Sequence, residues 1–153
     1  MSDCCKSNDL SSETSKLEVC PSCNVDGKKV KIITLKSLLK PMALNSLNAN
    51  LDHYFCSTSN CEVVYFDSEK KSYFKSDIKV QVFQKDSSLD VPVCYCFDWT
   101  KGKLQQSVQN ELASQPVEQI RKNIKANRCG CEVNNPQGSC CLANVTTFID
   151  QLS

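Results

Sequence analysis

Twelve cysteines in a chain of 153 residues constrain this sequence more than any other feature. All of them occur in close pairs, with spacings from adjacent (Cys4-Cys5) to Cys56-x4-Cys61. A short secreted chain uses such cysteines for disulfides, whereas in an intracellular chain close pairs are typical of metal sites. Residues 1–16 contain no apolar stretch of the kind that a secretory signal peptide requires. We therefore expect a cytoplasmic metalloprotein, with a secreted disulfide scaffold as the alternative.

The charge balance and the scarcity of certain residue types exclude several function classes. Eighteen basic residues against seventeen acidic ones leave a net charge of +1, so no nucleic-acid partner is expected. No apolar run approaches the ~18 residues of a membrane span, so no membrane insertion is expected. His53 is the single histidine, which excludes multi-histidine metal sites and most histidine-dependent catalysis. No catalytic residues are predicted.

Two cysteine pairs in the first half have the spacing of a structural zinc site. They are Cys20-x-x-Cys23 and Cys56-x4-Cys61, called the knuckle quartet below. Four thiolates form the closed tetrahedral set that structural zinc prefers, and the second pair falls at the tip of a predicted β-hairpin, as in zinc ribbons. The alternative is a redox CxxC with two buried core cysteines, but the βαβ pattern that a thioredoxin-like motif needs is absent. The knuckle quartet is therefore predicted to bind zinc.

The sequence divides into a tail and two blocks. Residues 1–16 are polar and are expected to form a disordered tail. Residues 17–84 are predicted to be a β-rich zinc-binding subdomain, and residues 91–153 a helical subdomain. A polar linker, Lys85–Asp90, separates them. The predicted fold class is α+β, with a small zinc-stapled, zinc-ribbon-like subdomain followed by a small helical one.

Hydrophobic patterns predict the elements within each block. In the first block, two strands flank the Cys56–Cys61 loop, and further strands are expected at 28–35, 72–74 and 78–83. A helical turn broken near Pro41 lies between them. In the second block, caps and apolar stripes predict three helices, which start near Thr100, Pro116 and Leu142.

Six further cysteines of the second block lie in or beside predicted loops at helix ends. They are Cys94, Cys96, Cys129, Cys131, Cys140 and Cys141. Four thiolates hold a [2Fe–2S] cluster, and helix N-termini and free loop amides stabilise its negative charge. Spacing leaves the choice of ligands open. Residues i and i+2 of an extended chain face the same way, which favours the two CxC pairs, whereas adjacent cysteines point apart.

Several stretches together resemble the cluster-bearing amino-terminal domain of CopZ-type copper chaperones. They are CPSC at 20–23, YFCSTSNCEVVYF at 54–66, VCYC at 93–96 and CEVNNPQGSCC at 131–141. The order of these motifs makes the resemblance specific, and it extends from about Leu17 to the C-terminus. The last block is also similar to bacterioferritin-associated ferredoxins, which are small helical [2Fe–2S] domains.

The resemblance implies two metal centres with defined ligands. Zinc would lie on the knuckle quartet, and a [2Fe–2S] cluster on a second set, called the loop quartet below: Cys94, Cys96, Cys131 and Cys141. Cys129 and Cys140 are then spare thiols near the cluster. The position of Cys141 directly before a predicted helix agrees with this choice. CopZ-type chaperones also carry a copper domain with a GMxCxxC motif, which these 153 residues lack, so the copper-delivering half is expected to be absent.

Two functions follow as hypotheses. In the first, implied by the resemblance, the protein belongs to metal homeostasis, and its cluster passes an electron to an oxidised metal such as Cu(II). An electron donor or a metal-handling protein would be its partner, and Cys4-Cys5 could accept the resulting Cu(I), which soft thiolates prefer. The alternative is a general [2Fe–2S] electron-transfer or docking module for a partner oxidoreductase or an iron-storage protein.

Overall fold

A computed structural model describes residues 18–152, so the predicted tail with Cys4-Cys5 lies outside the described residues. The first half is built on an antiparallel sheet in the order β1-β2-β3-β4. Its strands are β1 (Lys28–Val30), β2 (His53–Phe55), β3 (Val63–Asp67) and β4 (Ser72–Phe74). Two short helices, α1 (Ile32–Leu38) and α2 (Pro41–Leu44), connect β1 to β2, and a 3-10 turn (Lys75–Asp77) follows β4.

The second half is mainly helical. It begins with a two-stranded hairpin of β5 (Pro92–Cys94) and β6 (Trp99–Thr100). Four helices follow: α3 (Lys101–Gln109), α4 (Gln115–Lys125), α5 (Cys131–Asn134) and α6 (Leu142–Leu152). None of the helices in the described part of the chain has the length and apolar character needed to cross a membrane.

Strand β3 is buried along its whole length because both faces of the sheet are covered. Tyr65 packs with Phe55 in the core beneath α1 and α2, whereas Val63 and Phe66 pack around the cysteines of the knuckle quartet. A register shift between Val63 and Tyr65 interrupts the alternation of side chains and lets Val64 and Tyr65 join the same core. The sheet thereby carries the metal-binding loops on one face and an apolar core on the other.

Of the strands predicted in the first half, one is correct only in its first three residues and another is wrong. The strand expected at 28–35 ends at Val30, and the chain turns into α1 from Ile32. The β-branched residues there favour a strand, but the helix buries Leu35 and Leu38 on one face, and this tertiary packing outweighs the local preference. The segment 78–83 forms no strand, and Ile78 makes a single bridge to Leu39.

The helix predictions for the second half are confirmed, with one addition. The Thr100 hydroxyl accepts a hydrogen bond from Lys103 N at 3.1 Å and caps α3, and Pro116 lies in the first turn of α4. The apolar stripes of α3, α4 and α6 meet in one core that also contains Cys94 and Cys141. Leu112 is half exposed beyond the end of α3 and takes no part in that core. The short helix α5 inside the predicted loop was not expected.

The two halves are in direct contact. Thr34 Oγ1 of α1 donates to the Glu132 carbonyl of α5 at 2.6 Å, and the buried Tyr65 hydroxyl donates to the Pro136 carbonyl. Lys85, at the start of the predicted linker, is 7% exposed. The segment between the halves is therefore not a solvated spacer throughout, although the division into two subdomains stays a prediction.

Candidate metal centres

The first pair of the knuckle quartet lies in a tight turn. Asn24 N donates to the Cys20 carbonyl at 2.8 Å, and Cys20 N donates to the Val25 carbonyl at 2.9 Å. Asn24 has φ of 62°, a left-handed conformation that asparagine tolerates better than most residues. Ser22 N points at Cys20 Sγ at 3.4 Å. The turn directs the sulfurs of Cys20 and Cys23 toward the sheet.

The second pair occupies the loop between β2 and β3, as predicted. Cys56 follows β2, and its amide donates to the Val64 carbonyl at 2.8 Å, while Cys61 N donates to the Thr58 carbonyl at 3.3 Å. The hairpin holds both cysteines at its tip. Cys56 and Cys61 thus face the turn that carries Cys20 and Cys23.

The sulfur positions of the knuckle quartet fit a tetrahedral zinc ion. Cys20 Sγ lies 3.8 Å from Cys61 Sγ, Cys23 Sγ lies 3.7 Å from Cys56 Sγ, and all four sulfurs lie within 4.8 Å of one another. A tetrahedron with Zn–S bonds of ~2.3 Å has edges of about 3.8 Å. Among residues 18–152, the knuckle quartet is the set of histidine, cysteine, aspartate or glutamate side chains whose ligand atoms lie close enough together to share one metal ion. All four thiols are free, and three are buried.

Burial makes it unfavourable for all four thiols of the knuckle quartet to be ionised together unless a cation is bound between them. Burial raises the pKa of Cys20 to about 12 and also raises the pKa of Cys56. The hydrogen bond between Cys23 Sγ and Thr58 Oγ1, at 3.2 Å, lowers the pKa of Cys23 to about 6. A bound zinc ion deprotonates its thiol ligands outright, so metal binding at this site would release protons.

A residue that sequence reasoning assigned to the linker reaches this site. The Lys85 ammonium lies 3.6 Å from Cys56 Sγ, 2.7 Å from the Thr58 carbonyl oxygen and 3.1 Å from the Cys61 carbonyl oxygen. A lysine in the polar run KDSSLD gives no sign of burial. In the structure the preceding Val82 is buried and Phe83 is half-buried, so the packed part of the chain extends to Lys85.

The structure also brings the four cysteines of the loop quartet together. Cys94 ends β5, Cys96 lies in the turn of that hairpin, Cys131 begins α5, and Cys141 directly precedes α6. Cys96 Sγ lies 3.6 Å from Cys131 Sγ, and the Cys131 and Cys94 thiols lie close enough to Cys141 to raise its pKa. The contacts thus run in series from Cys94 through Cys141 and Cys131 to Cys96. The loop quartet is more extended than the knuckle quartet.

N–H groups surround the sulfurs of the CxC motif. Gly130 N donates to Cys96 Sγ at 3.1 Å, Asn134 Nδ2 donates to the same sulfur at 3.5 Å, and the amides of Cys96 and Phe97 bond to Cys94. Contact with Cys131 and then burial raise the pKa of Cys96, whereas the hydrogen bond with Cys141 lowers the pKa of Cys94. Each thiol therefore affects the ionisation of its neighbours.

Cys129 and Cys140 lie beside this set and are half-buried. Leu142 N, the first amide of α6, donates to Cys140 Sγ at 3.4 Å. The expectation that the start of this helix favours Cys141 is thus not supported by that contact. The backbone of Cys141 is joined to α6 through its carbonyl oxygen, which accepts a hydrogen bond from Val145 N at 2.9 Å.

The loop from Cys131 to Cys141 folds back on itself through two polar side chains. Asn135 Oδ1 accepts from Gln137 N at 3.1 Å, and Gln137 Nε2 donates to the Cys140 carbonyl at 3.0 Å. Gly138 has φ of 73° and lies so close to β1 that a Cβ atom there would be 3.1 Å from Val30 Cγ1. This turn, closed by the 2.7 Å hydrogen bond from Gly138 N to the Asn135 carbonyl, folds the chain back between Cys131 and Cys141.

His53 is not among the metal-ligating side chains that the structure brings together. It lies in β2, is buried, and neither of its ring nitrogens has a hydrogen-bond partner among the described residues. Burial lowers its pKa, which favours the neutral ring. Metal chemistry in the described part of the chain thus rests on cysteine.

The chain is similar in sequence and in structure to known proteins. Residues 17–79 match the CopZ-type family described as "Zinc binding domain". The copper chaperone CopZ of Archaeoglobus fulgidus is 34% identical over 122 residues, which cover 80% of this chain and 57% of that protein. The X-ray structure of the N-terminal domain of the same organism's CopZ matches with a TM-score of 0.72 and 30% identity, covering 86% of this chain and 97% of that domain. The chain therefore spans little more than half the length of the curated relative.

Proposed function

Because this chain belongs to the CopZ-type zinc-binding family and is homologous to the N-terminal domain of Archaeoglobus CopZ, we propose that it is a metal-handling protein with a structural zinc ion and a redox-active [2Fe–2S] cluster. One observation carries the proposal. The described chain contains two separate four-cysteine groups, the compact knuckle quartet and the more extended loop quartet.

The zinc ion has a structural role in this proposal. The knuckle quartet joins the turn at Cys20 to the hairpin at Cys56, and four protein ligands leave no open position for a substrate. The first half is small, and zinc binding contributes ~10 kcal/mol or more to the folding of such domains. Zinc at this site would therefore hold the sheet in the form that supports the second half.

The arrangement of the loop quartet suits a two-iron cluster better than a single ion. Cys96 and Cys131 form one close pair, Cys94 and Cys141 another, and the pairs are joined between Cys131 and Cys141. A [2Fe–2S] cluster needs four thiolates, two for each iron, and supplies one-electron chemistry when bound. Cys96 is half-buried whereas the other three cysteines are buried, so the exchange of electrons is expected at the Cys96 side.

The chain's own residues would set the properties of that site. N–H groups of Gly130 and Asn134 point at Cys96 Sγ, and such hydrogen bonds stabilise the more negative, reduced state. The relative is a copper chaperone, so the proposed electron acceptor is Cu(II), which one electron converts to Cu(I). Cu(I) prefers thiolate ligands, so a metal-handling protein or the pair Cys4-Cys5 is the proposed recipient.

Anaerobic purification with metal analysis tests the proposal. We expect one zinc, two irons and two acid-labile sulfides per chain, as one tetrathiolate zinc site and one [2Fe–2S] cluster require. The reduced protein should then convert Cu(II) to Cu(I) in equal amounts as the cluster absorbance returns to the oxidised form, with Cu(I) captured by a chromogenic chelator. Zinc without iron would disprove the cluster. A cluster that reduces no Cu(II) would favour a general electron-transfer module.

A further inference from the structure

A buried lysine ammonium lies against the zinc-binding loops. Lys85 is 7% exposed, and its Nζ is within hydrogen-bond distance of the Thr58 carbonyl oxygen at 2.7 Å, the Cys61 carbonyl oxygen at 3.1 Å and Cys56 Sγ at 3.6 Å. An ammonium has three N–H donors, and this one has three acceptors. All three acceptors belong to the loop between β2 and β3.

A buried ammonium needs a compensating negative charge. Within residues 18–152, no carboxylate forms an ion pair with Lys85, whereas five other lysines form such pairs at the surface. Four thiolates around a divalent zinc ion leave two negative charges in excess, and Cys56 is one of those thiolates. The charge that Lys85 would balance is therefore that of the zinc centre itself.

We infer that Lys85 is the counter-cation of the zinc–thiolate centre and a positioning residue for its second pair of ligands. The ammonium holds the Thr58 and Cys61 carbonyls, which fixes the loop in a form ready for metal. It also removes one of the two excess negative charges. Zinc binding is therefore tighter, and Cys56 is less nucleophilic, than in a site without this cation.

The position of Lys85 is itself set by the second half of the protein. Phe83 N donates to the Tyr95 hydroxyl at 2.9 Å, and that hydroxyl donates to the Gln81 carbonyl at 2.6 Å. The Phe83 ring packs edge-on against Phe148 of α6 at 6.3 Å. Tyr95 lies between Cys94 and Cys96, so the chain that brings Lys85 to the zinc site is attached directly to the CxC motif.

Substitution of Lys85 in the full chain tests the inference at the zinc site, independently of any cluster. Lys85→Met removes the charge at similar size, and Lys85→Arg keeps it. Lys79→Met is the matched control, because the Lys79 ammonium binds the Ser37 carbonyl at 3.2 Å, far along the chain from the cysteines. Competition with a chromogenic zinc chelator should show zinc binding about tenfold weaker in Lys85→Met. Lys85→Arg should retain most of the affinity, and Lys79→Met should match the wild type.

Two further measurements separate the charge from a merely structural role. In cobalt-substituted protein, loss of the N–H contact to Cys56 should shift the thiolate-to-cobalt charge-transfer band in Lys85→Met and not in Lys79→Met. Alkylation by iodoacetate should slow relative to iodoacetamide in Lys85→Met, because the anionic reagent loses a nearby cation. General loosening of the loop would speed both reagents alike.

These measurements test the role of Lys85 separately from the existence of the zinc site. Should Lys85→Met not fold, Lys85→Gln, which keeps a donor for a carbonyl but no charge, replaces it in every measurement. Equal zinc affinity, an unshifted cobalt band and an unchanged ratio of alkylation rates would overturn the role of Lys85. Failure of the wild type to bind zinc or cobalt would overturn the zinc site and this inference with it, while leaving the proposed cluster to be judged by its iron content.

Discussion

At the scale of single residues, the two cysteine groups differ in how their negative charge is balanced. The knuckle quartet has a buried cation in Lys85. Cys96 of the loop quartet is instead bonded by two neutral donors, Gly130 N and Asn134 Nδ2. Under the proposed function, a full positive charge thus lies beside the zinc ligands, and neutral N–H donors lie beside the proposed cluster.

Asn134→Ala should lower the midpoint potential of the proposed cluster. The substitution removes a hydrogen bond to Cys96 Sγ, and such bonds stabilise the reduced state. Asn134 is exposed, so the fold should be unaffected. A spectroscopic redox titration measures the potential, with Asn123→Ala as control, because Asn123 bonds to the exposed Arg128 side chain at 2.9 Å. Equal potentials in all three proteins would show that Asn134 has no such role.

Single Cys→Ser substitutions should divide the second-half cysteines into two classes. Cys131→Ser and Cys141→Ser should lose or strongly perturb the cluster, because both lie in the series of sulfur contacts. Cys129→Ser and Cys140→Ser should keep it. Visible absorbance and iron content are the measurements. Loss of the cluster in Cys129→Ser together with its retention in Cys141→Ser would favour ligation by the two CxC pairs.

At the scale of elements, the sequence predicts best where local rules and packing agree. The hairpin around Cys56–Cys61 and helix α3 with its Thr100 cap follow from alternation and capping, and both are present. The residues from Ile32 to Leu35 favour a strand locally, but they form the start of α1, which buries Thr34 and Leu35 and leaves Ile33 exposed. Lys85 could not be found from sequence, because a buried lysine is recognisable only from the acceptors that folding brings to it.

Tyr65→Phe should destabilise the loop that carries Cys131 and Cys141. The Tyr65 hydroxyl is buried in β3 and donates to the Pro136 carbonyl, and an unsatisfied buried acceptor costs ~1–3 kcal/mol. Urea denaturation of the metal-loaded protein gives the change in the free energy of unfolding. Tyr73→Phe is the control, because the Tyr73 hydroxyl contacts the Ser46 carbonyl at 3.5 Å, the limit of a hydrogen bond. An equal decrease in the free energy of unfolding in both variants would show that the hydrogen bond from Tyr65 to Pro136 contributes no particular stability.

At the scale of the whole molecule, contacts between the halves bear on whether the metal centres behave independently. The polar run Lys85–Asp90 predicts a linker, and with it two units that lose their metals separately. In the structure, Thr34 bonds to Glu132, Gln84 Nε2 bonds to Gln137 Oε1 at 2.7 Å, and Lys85 bonds across to the zinc-binding loop. These contacts favour coupling, because together they join the half that carries the knuckle quartet to the half that carries the loop quartet.

Cys61→Ser should therefore weaken the cluster as well as abolish zinc binding. Loss of zinc loosens the tip of the hairpin, including the Cys61 carbonyl that binds Lys85. The segment from Gln81 to Lys85 then loses its contact with the zinc-binding loop and keeps only its contact with Tyr95. Thermal melts followed by the visible absorbance of the proposed cluster should show its loss at lower temperature in Cys61→Ser than in the wild type. Cys129→Ser, which changes a cysteine outside both quartets, controls for the substitution itself. A cluster melting at the wild-type temperature in zinc-free Cys61→Ser would mean that the linker does separate two independent units, and that the contacts between the halves contribute little to the stability of either centre.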